Sequence, residues 1–188
     1  QFDRVLSAAQ TLHQGYMWEC PDFFSLGEKQ VLLFSPQGLA AQGYRNRNRF
    51  QSGYLLGHWQ PGDDFSVTQP FCELDGGHDF YAPQTFTTAD GRRMLFAWMD
   101  MWESPMPSKA HGWAGALTLP RELTLAADGN VLMNPARELT ALRGQPQSLA
   151  TVSLCNQRQV LAGEVQELIL TLNLADSDAE RYGIAIGK

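Results

Sequence analysis

The sequence predicts an all-β fold, and three observations lead to that prediction. Short apolar segments recur along most of the chain, bounded by glycine, proline or charged residues and too short for typical helices. Asp-Gly pairs lie between several of these segments, as they do in β-hairpins. The clearest segment with helical spacing is at most about two turns long. Many short antiparallel strands joined by turns are typical of a β-barrel, a β-sandwich or a β-propeller.

Two segments and two hairpins account for the clearest strands. Residues 30–35 and 93–99 are short apolar runs of the length of a strand. Each hairpin has Asp-Gly at its turn, which favours the tight reversal between antiparallel strands. The first hairpin turns at 89–92, between Phe86 and Met94, and the second turns at 128–129, between 116–125 and 131–133.

The composition of the chain changes near residue 145. Residues 135–143 have helical spacing, with a proline at the start and a glycine after the end, and residues 144–148 are typical of a linker. Beyond the linker, four alternating leucines between residues 168 and 174 predict a strand. We therefore predict one domain over residues 1–144 and the start of a second over residues 145–188.

Composition and charge exclude several classes of protein. The 188 residues are 44% hydrophobic and carry a net charge of −6, which disfavours nucleic acid as a partner and predicts a folded core. No apolar run is long enough to span a membrane. The three cysteines form no CxxC pair or metal-ligand cluster, so we expect no metal, no cofactor and a cytoplasmic location.

One carboxylate in the first part of the chain is a candidate proton donor. Residues 17–24, Met-Trp-Glu-Cys-Pro-Asp-Phe-Phe, place Glu19 among bulky apolar neighbours just before a proline. Burial against apolar side chains raises the pKa of a carboxyl group and favours general-acid chemistry. Cleavage of a glycosidic bond uses such an acid, together with a second carboxylate on the other side of the bond.

Four short motifs occur in order along the chain. They are residues 18–24 (Trp-Glu-Cys-Pro-Asp-Phe-Phe), 78–86 (His-Asp-Phe-Tyr-Ala-Pro-Gln-Thr-Phe), 91–100 (Gly-Arg-Arg through Trp-Met-Asp) and 112–123 (Gly-Trp-Ala-Gly through Pro-Arg-Glu-Leu). Their order and spacing resemble glycoside hydrolase family 32. Within it, the chain is most similar to bacterial sucrose-6-phosphate hydrolases and sucrose hydrolases, which are β-fructofuranosidases of the invertase type.

The resemblance implies a fold and a role for Glu19. It implies a five-bladed β-propeller followed by a β-sandwich, with this chain covering about the last two blades and the first sandwich strands. The glutamate of the family's Glu-Cys-Pro motif is the general acid/base, which corresponds to Glu19. It would protonate the leaving oxygen of sucrose or sucrose 6-phosphate and later deprotonate the attacking water.

The other two carboxylates of the family have no counterpart in this sequence. The nucleophile lies in an Asn-Asp-Pro-Asn motif and the transition-state stabiliser in an Arg-Asp-Pro motif, and neither occurs among the 188 residues. Without a nucleophile the retaining double displacement cannot proceed. We therefore expect this chain alone to be inactive, and to need the missing part of the propeller or self-association.

Further positions are implied by the resemblance, each with a structural alternative. Tyr81 corresponds to an aromatic residue that could hydrogen-bond the acid/base, and Trp98 to one that could stack on a sugar, whereas core packing is the alternative for both. Asp79, with its neighbour His78, could brace a substrate loop or lie in a solvated one. Cys20 is adjacent to the acid and could line the substrate site or be a small packing residue.

Three arginines suggest a phosphate site. Arg45, Arg47 and Arg49 alternate with other residues, and on a strand this spacing would place all three guanidinium groups on one face. Such a face could hold the phosphate of a phosphorylated sugar. A solvated face, or ion pairs that brace a loop, is the alternative.

The sequence leaves three classes of function open. The leading one is hydrolysis of the β-fructofuranosidic bond, with this chain supplying the acid/base. A second is a non-catalytic carbohydrate-binding or assembly fragment. A third is a relative that hydrolyses fructans or transfers fructosyl groups, because chain-length and acceptor preference depend on loops whose contacts the sequence does not define.

Overall fold

The computed structural model describes residues 2–8, 12–161 and 167–185. Backbone contacts divide the chain into two units, Gln1–Arg143 and Gly144–Lys188. All helices and strands among the described residues belong to the first unit, which is predominantly β. The all-β prediction is therefore confirmed for this part of the molecule.

The first sheet has four antiparallel strands in chain order. Its strands are β1 (Met17–Leu26), β2 (Lys29–Gln37), β3 (Gly53–His58) and β4 (Ser66–Glu73). The strand predicted over residues 30–35 lies within β2. This strand is almost completely buried because residues on both of its faces are covered, which explains its continuous apolar sequence.

The second sheet has five strands, with β7 pairing beside the path β5–β6–β8–β9. Its strands are β5 (Tyr81–Thr87), β6 (Arg93–Met99), β7 (Ala116–Leu117), β8 (Arg121–Leu125) and β9 (Val131–Pro135). The strand at 93–99 and both predicted hairpins are confirmed. The segment 116–125, whose alternation was expected to be broken by Pro120, is divided before that residue into β7 and β8, because proline has no N–H for the ladder.

The main hydrophobic core lies between the two sheets. Leu33 of β2 and Leu95 of β6 are fully buried at its centre. Its buried members are Phe24, Leu26, Val31, Leu33, Tyr54 and Leu56 from the first sheet and Phe80, Leu95, Ala97 and Leu123 from the second sheet and the residue before it. This core fixes the separation of the two sheets, because protein interiors are close-packed.

A second core covers the opposite face of the first sheet. Alternate residues of a strand point to opposite faces, so Leu32 and Phe34 leave the main core and join this one. Trp18 stacks on Phe34 with ring centroids 4.0 Å apart. Trp18 and Phe23 of β1 therefore pack on the face away from the second sheet, whereas Phe24 joins the main core.

The predicted helix and the predicted C-terminal strand differ from the structure. Residues 135–143 contain a 3₁₀ helix over Arg137–Leu142 instead of an α-helix, and its side chains are not buried. Residues 167–174 form no strand, and the leucines at 168, 170, 172 and 174 are exposed. The strand prediction is wrong because alternation alone does not supply a partner for the backbone N–H and C=O groups.

An ionic cluster holds this 3₁₀ helix against the β5–β6 turn. Arg92 contacts Asp90 at 2.9 Å and Glu138 at 2.5 Å, and Arg137 contacts Asp90 at 2.6 Å. Hydrogen bonds from Thr88 and Arg92 lower the pKa of Asp90 to about 2. The cluster therefore keeps its charges well into the acid range.

No described residue lies in a helix long and apolar enough to cross a membrane.

The packing between the sheets predicts a large effect of one truncation. Leu33→Ala removes a fully buried side chain and leaves a cavity in the main core, so we expect a loss of about 2–5 kcal/mol in the free energy of unfolding. Urea unfolding followed by tryptophan fluorescence measures it. Leu142→Ala, at a position 77% exposed, is the control and should change stability by less than about 0.5 kcal/mol. Equal losses in the two variants would contradict this account of the core.

Candidate active site

Glu19 lies at a β-bulge in β1. Glu19 pairs with Ser35 and Asp22 with Leu33, so two residues of β1, Cys20 and Pro21, lie opposite one residue of β2. Cys20 has a φ of 49°, in the left-handed region that non-glycine residues rarely adopt. Pro21 has no N–H to offer the ladder, which suits a position where strand pairing is interrupted.

The second sheet repeats this bulge in β5. Tyr81 pairs with Trp98 and Gln84 with Phe96, so Ala82 and the proline after it lie opposite one residue of β6. Ala82 has a φ of 50°, close to that of Cys20. Glu-Cys-Pro in the first sheet and Tyr-Ala-Pro in the second are therefore equivalent in sequence position, backbone shape and place in their sheets.

Glu19 and Tyr81 meet where the two bulges face each other. The Tyr81 hydroxyl donates a hydrogen bond of 2.6 Å to Oε2 of Glu19. Nε2 of Gln37 donates to the same oxygen at 3.1 Å and also to the Tyr81 hydroxyl at 3.3 Å. The predicted hydrogen bond from Tyr81 to the candidate acid is present. Both donors converge on one carboxylate oxygen, and no hydrogen bond to Oε1 comes from the described residues.

The expectation of an apolar pocket around Glu19 is wrong. Its neighbours in sequence are bulky and apolar, but Trp18 turns to the outer core and stacks on Phe34. The carboxylate is half-buried and its two hydrogen-bond partners are polar. Because side chains alternate along a strand, residues adjacent in sequence do not surround each other.

The hydroxyl of Tyr81 has a perturbed environment. Burial and, next, the hydrogen bond to Glu19 raise the pKa of Tyr81 well above its ordinary value of 10.0. Both causes disfavour a phenolate, because it would be desolvated and would lie next to a carboxylate. Tyr81 therefore remains a hydrogen-bond donor to Glu19 over the whole neutral range.

Further hydrogen bonds join the sheets near the Glu19–Tyr81 pair, including one of 3.2 Å from Nε2 of Gln84 to the carbonyl of Cys20. The backbone N–H of Ala82 donates to the Ser35 hydroxyl at 3.1 Å. Thr85 donates to Oδ2 of Asp22 from its backbone N–H at 2.9 Å and from its hydroxyl at 2.5 Å. These bonds hold the two bulges in a fixed position relative to each other. They also show that Asp22 lies at the contact between the two sheets.

Aromatic side chains pack next to Tyr81. Trp102 contacts Tyr81 and Trp98 edge-on, with centroid separations of 5.1 and 5.3 Å, and Phe50 lies 6.0 Å from Tyr81. Trp98 is half-buried, whereas Trp102 is 58% exposed. Flat, partly exposed rings beside a carboxylate are a surface on which a sugar ring can stack.

The remaining predicted site residues are not in contact with Glu19 by side-chain hydrogen bonds. Asp79 accepts a hydrogen bond of 2.9 Å from the Ser104 hydroxyl, which ties two loops together. His78 is exposed, and Cys20 is exposed with a free thiol. The described residues contain no group of His, Cys, Asp and Glu side chains able to hold a metal ion.

The three arginines lie in a loop, so the expectation of a shared strand face is wrong. The loop joins β2 to β3, and Asn46 within it has a φ of 55°, which interrupts an extended backbone. Arg47 donates to the carbonyl of Gly43 at 3.0 Å. Arg49 forms an ion pair of 3.1 Å with Glu103. Arg45 is exposed, and Arg47 and Arg49 brace loops.

Comparison with known proteins decides the family. Residues 1–135 match the model of the glycosyl hydrolases family 32 N-terminal domain. The chain belongs to glycosyl hydrolase family 32. The N-terminal domain of this family is a β-propeller, in agreement with the antiparallel sheets of the first unit.

Curated relatives of family 32 cover almost the whole chain. A sucrose-6-phosphate hydrolase of Escherichia coli is 53% identical over 188 residues, which are 99% of this chain and 39% of that enzyme. A raffinose invertase of Escherichia coli is 51% identical over 93% of this chain and 37% of its own length. The chain thus spans less than two fifths of the length of these relatives, which are glycoside hydrolases.

Solved structures of family 32 superimpose on most of the chain. A β-fructofuranosidase of Bombyx mori is 46% identical, with a TM-score of 0.66 over 70% of this chain and 28% of its own. A sucrose-6-phosphate hydrolase of Lactobacillus gasseri is 28% identical, with a TM-score of 0.61 over 70% of this chain and 27% of its own. A mutant of the Bombyx mori enzyme has been solved in complex with sucrose.

Sequence reasoning missed several residues of this family 32 site. Gln37 and Ser35 were not predicted, and Trp102 was expected only as part of a rim loop without a role, yet each contacts Glu19, Tyr81 or the bulge at Ala82. A signal for two of them was available. Ser35 and Gln37 are polar residues at the end of the apolar strand β2, and both are buried. Buried polar residues need hydrogen-bond partners, which they find in the site.

The raised pKa of Tyr81 predicts a pH dependence of stability. In the unfolded chain tyrosine ionises near pH 10, whereas folded Tyr81 stays protonated, so its contribution is complete below pH 10 and is lost as pH rises through the folded value. We expect Tyr81→Phe to weaken the fall of stability between pH 9 and 11, measured by urea unfolding with roughly half-unit pH steps. Tyr44→Phe, at a fully exposed ring, is the control. The same slope in the wild type and in Tyr81→Phe would refute the assignment.

Proposed function

We propose that this chain supplies the general acid/base of a retaining β-fructofuranosidase that acts on sucrose or sucrose 6-phosphate. The observation that carries the proposal is the carboxylate of Glu19, held through Oε2 by Tyr81 and Gln37 within a family 32 motif. The names of the relatives support the substrate class, since they include sucrose-6-phosphate hydrolases and an invertase.

In the first step, Glu19 acts as an acid. Its carboxyl proton passes to the glycosidic oxygen while the bond between that oxygen and the anomeric carbon of fructose breaks. A second carboxylate forms an ester bond to the same carbon, and glucose or glucose 6-phosphate leaves. Glu19 is then a carboxylate.

In the second step, Glu19 acts as a base. Its carboxylate takes a proton from a water molecule while the water oxygen bonds to the anomeric carbon and the ester bond breaks. Fructose is released, the second carboxylate is free and Glu19 is protonated again. The net reaction consumes one water, and the same side chain serves both steps.

The second carboxylate comes from outside these 188 residues, because neither family motif that bears an aspartate occurs in them. Asp22 does not replace it, since its carboxylate accepts two hydrogen bonds from Thr85 at the contact between the sheets. The partner of this chain is therefore the part of a propeller that carries the nucleophile. By themselves the 188 residues would bind a sugar without hydrolysing it. That behaviour corresponds to the second function class, a non-catalytic carbohydrate-binding fragment.

The other candidate residues receive supporting roles. The ring of Trp98, in the aromatic cluster next to Tyr81, would stack on a sugar, and Tyr81 would hold the acid. Cys20 would line the substrate site beside Glu19, and Asp79 would brace the rim through Ser104. The proposed chemistry uses no cofactor.

The resemblance to family 32 implies that this chain forms the last two blades of a five-bladed propeller. Each of the two antiparallel sheets would be one blade, and the repeated bulge supports their equivalence. A β-sandwich after residue 144 stays a prediction from the resemblance. All three cysteines are free, which suits the reducing conditions of the cytoplasm.

Replacing the candidate acid tests the proposal. The assay uses a chimera in which these 188 residues replace the aligned segment of the Escherichia coli sucrose-6-phosphate hydrolase. We expect Glu19→Gln to lower sucrose hydrolysis by about 10²–10⁴-fold, because neither proton transfer remains. The formation of the fructosyl-enzyme from a fructoside with a nitrophenolate leaving group should fall much less, since that leaving group needs little protonation.

The control is Glu28→Gln, which neutralises an exposed glutamate after the other end of β1. It should leave sucrose hydrolysis unchanged. Azide needs no general base and should restore turnover of the activated fructoside by Glu19→Gln as fructosyl azide. Sucrose hydrolysis by Glu19→Gln close to that of the unsubstituted chimera would refute the role of Glu19.

A phosphate preference would involve the arginine loop. Arg45 is exposed, whereas Arg47 and Arg49 already have partners, so we assign the strongest phosphate contact to Arg45. Arg45→Gln in the chimera should lower kcat/KM for sucrose 6-phosphate by about tenfold and leave sucrose unaffected, as expected for the loss of one charge-assisted hydrogen bond. Arg158→Gln, at an exposed position of the second unit, is the control. Equal effects of Arg45→Gln on the two substrates would exclude a phosphate role.

A further inference from the structure

Gln37 makes a complete set of hydrogen bonds at the end of β2. Its Nε2 donates to Oε2 of Glu19 and to the hydroxyl of Tyr81, and its Oε1 accepts a hydrogen bond of 3.0 Å from the hydroxyl of Tyr16. The side chain is buried, with 9% of the residue exposed. An amide has two N–H donors and one carbonyl acceptor, so each polar atom of Gln37 has a partner.

Tyr16 determines which way this amide points. The amide of glutamine can rotate by half a turn, which exchanges its oxygen and its nitrogen. With Oε1 held by the Tyr16 hydroxyl, the NH₂ group faces Glu19 and Tyr81. The reverse orientation would place a carbonyl oxygen against a carboxylate and would lose both donated hydrogen bonds.

Two glycines bring Tyr16 to this position. Gly38 has a φ of 89°, and a Cβ on it would lie 2.4 Å from the ring of Tyr16. Gly15 has a φ of 78°, and a Cβ on it would lie 2.1 Å from the carbonyl oxygen of Gln37. The backbone N–H of Tyr16 donates to that same carbonyl at 2.9 Å. Side chains at either glycine would therefore displace Tyr16 from Gln37.

We propose that Tyr16 and Gln37 are positioning residues that select Oε1 of Glu19 as the oxygen that carries and receives the transferred proton. This inference rests on the proposed acid/base role of Glu19. A proton on Oε2 would either meet the N–H of Gln37, which can only donate, or take the place of the hydrogen bond that Tyr81 donates, so protonation there would cost a hydrogen bond. Oε1 has no such donor among the described residues. The proton therefore resides on Oε1 in the acid form, and Oε2 accepts from Gln37 and Tyr81 in both forms.

This arrangement suits a group that changes its protonation state in each half of a reaction. Oε2 keeps the same partners throughout, so the carboxyl plane does not rotate when the proton leaves or returns. General acid and base catalysis require the donor atom within hydrogen-bond reach of the reacting oxygen. Gln37 would thus act through Glu19, without contact with substrate.

The first arm of the test uses the full 188-residue chain and needs no turnover. The side-chain NH₂ signals of Gln37 are assigned in an ¹⁵N spectrum by their loss in Gln37→Leu. We expect Glu19→Gln to move these signals upfield, because a hydrogen bond to a carboxylate becomes one to a neutral amide. The NH₂ signals of Gln30, on the same strand and bonded to Ser25, should not move. Gln37 signals that are unchanged by Glu19→Gln would overturn the proposal.

The second arm measures a kinetic split in the chimera. Gln37→Leu should lower sucrose hydrolysis by about 10- to 100-fold, and the formation of the fructosyl-enzyme from the nitrophenyl fructoside by less than about threefold. Tyr16→Phe keeps the ring but removes the hydroxyl that holds the side-chain amide of Gln37. It should show the same difference between the two substrates, with smaller losses of rate. Gln30→Leu, a glutamine of β2 far from Glu19, should leave both rates unchanged.

The outcomes separate this inference from the proposed function. If Glu19→Gln does not lower sucrose hydrolysis, the acid/base role fails, and this inference fails with it. If Glu19→Gln is impaired but Gln37→Leu slows both substrates equally, Gln37 is only structural and this inference alone fails. A split in Gln37→Leu and in Tyr16→Phe, with unchanged melting temperature in Tyr16→Phe, supports it. If the chimera does not turn over, the NMR arm decides.

Discussion

The hydrogen bond from Tyr81 to Oε2 of Glu19 is the interaction on which the candidate site depends. It joins residues 62 positions apart in the chain and crosses from the second sheet to the first. Its length of 2.6 Å leaves little tolerance in the separation of the sheets. The main core sets that separation, and the contacts from Ser35 to Ala82 and from Asp22 to Thr85 set the register. The position of the Glu19 carboxylate thus depends on both sheets together.

Parts of the fold that depend on local sequence were predictable. The strand at 93–99 has the predicted bounds, and both hairpins turn where glycine follows aspartate. In these segments, side-chain period and turn chemistry act over a few residues. The strand expected near residue 170 shows the limit of such reasoning. Its alternation is clear, but a strand needs a partner, and none of the described residues pairs with it.

The site was predictable where a motif names the residue and was not where contacts define it. Glu19 and its bond to Tyr81 followed from the resemblance to family 32. Gln37 did not, because its role arises from β2 ending beside β5, a relation between distant segments. The apolar pocket and the shared arginine face failed for different reasons. Side chains alternate along β1, so the apolar neighbours of Glu19 do not surround it, and the turn at Asn46 interrupts the extended backbone that the arginine face requires.

The repeated bulge has a consequence for how such a site can change. In each sheet the unfavourable left-handed backbone is at the second residue of the triplet, at Cys20 and at Ala82, and not at the first residue, whose side chain bonds the other sheet. The side chain before it can therefore be exchanged without altering the backbone. One sheet presents a carboxylate at this position and the other a phenol. The same backbone shape therefore presents two different functional groups at one point of contact between the sheets.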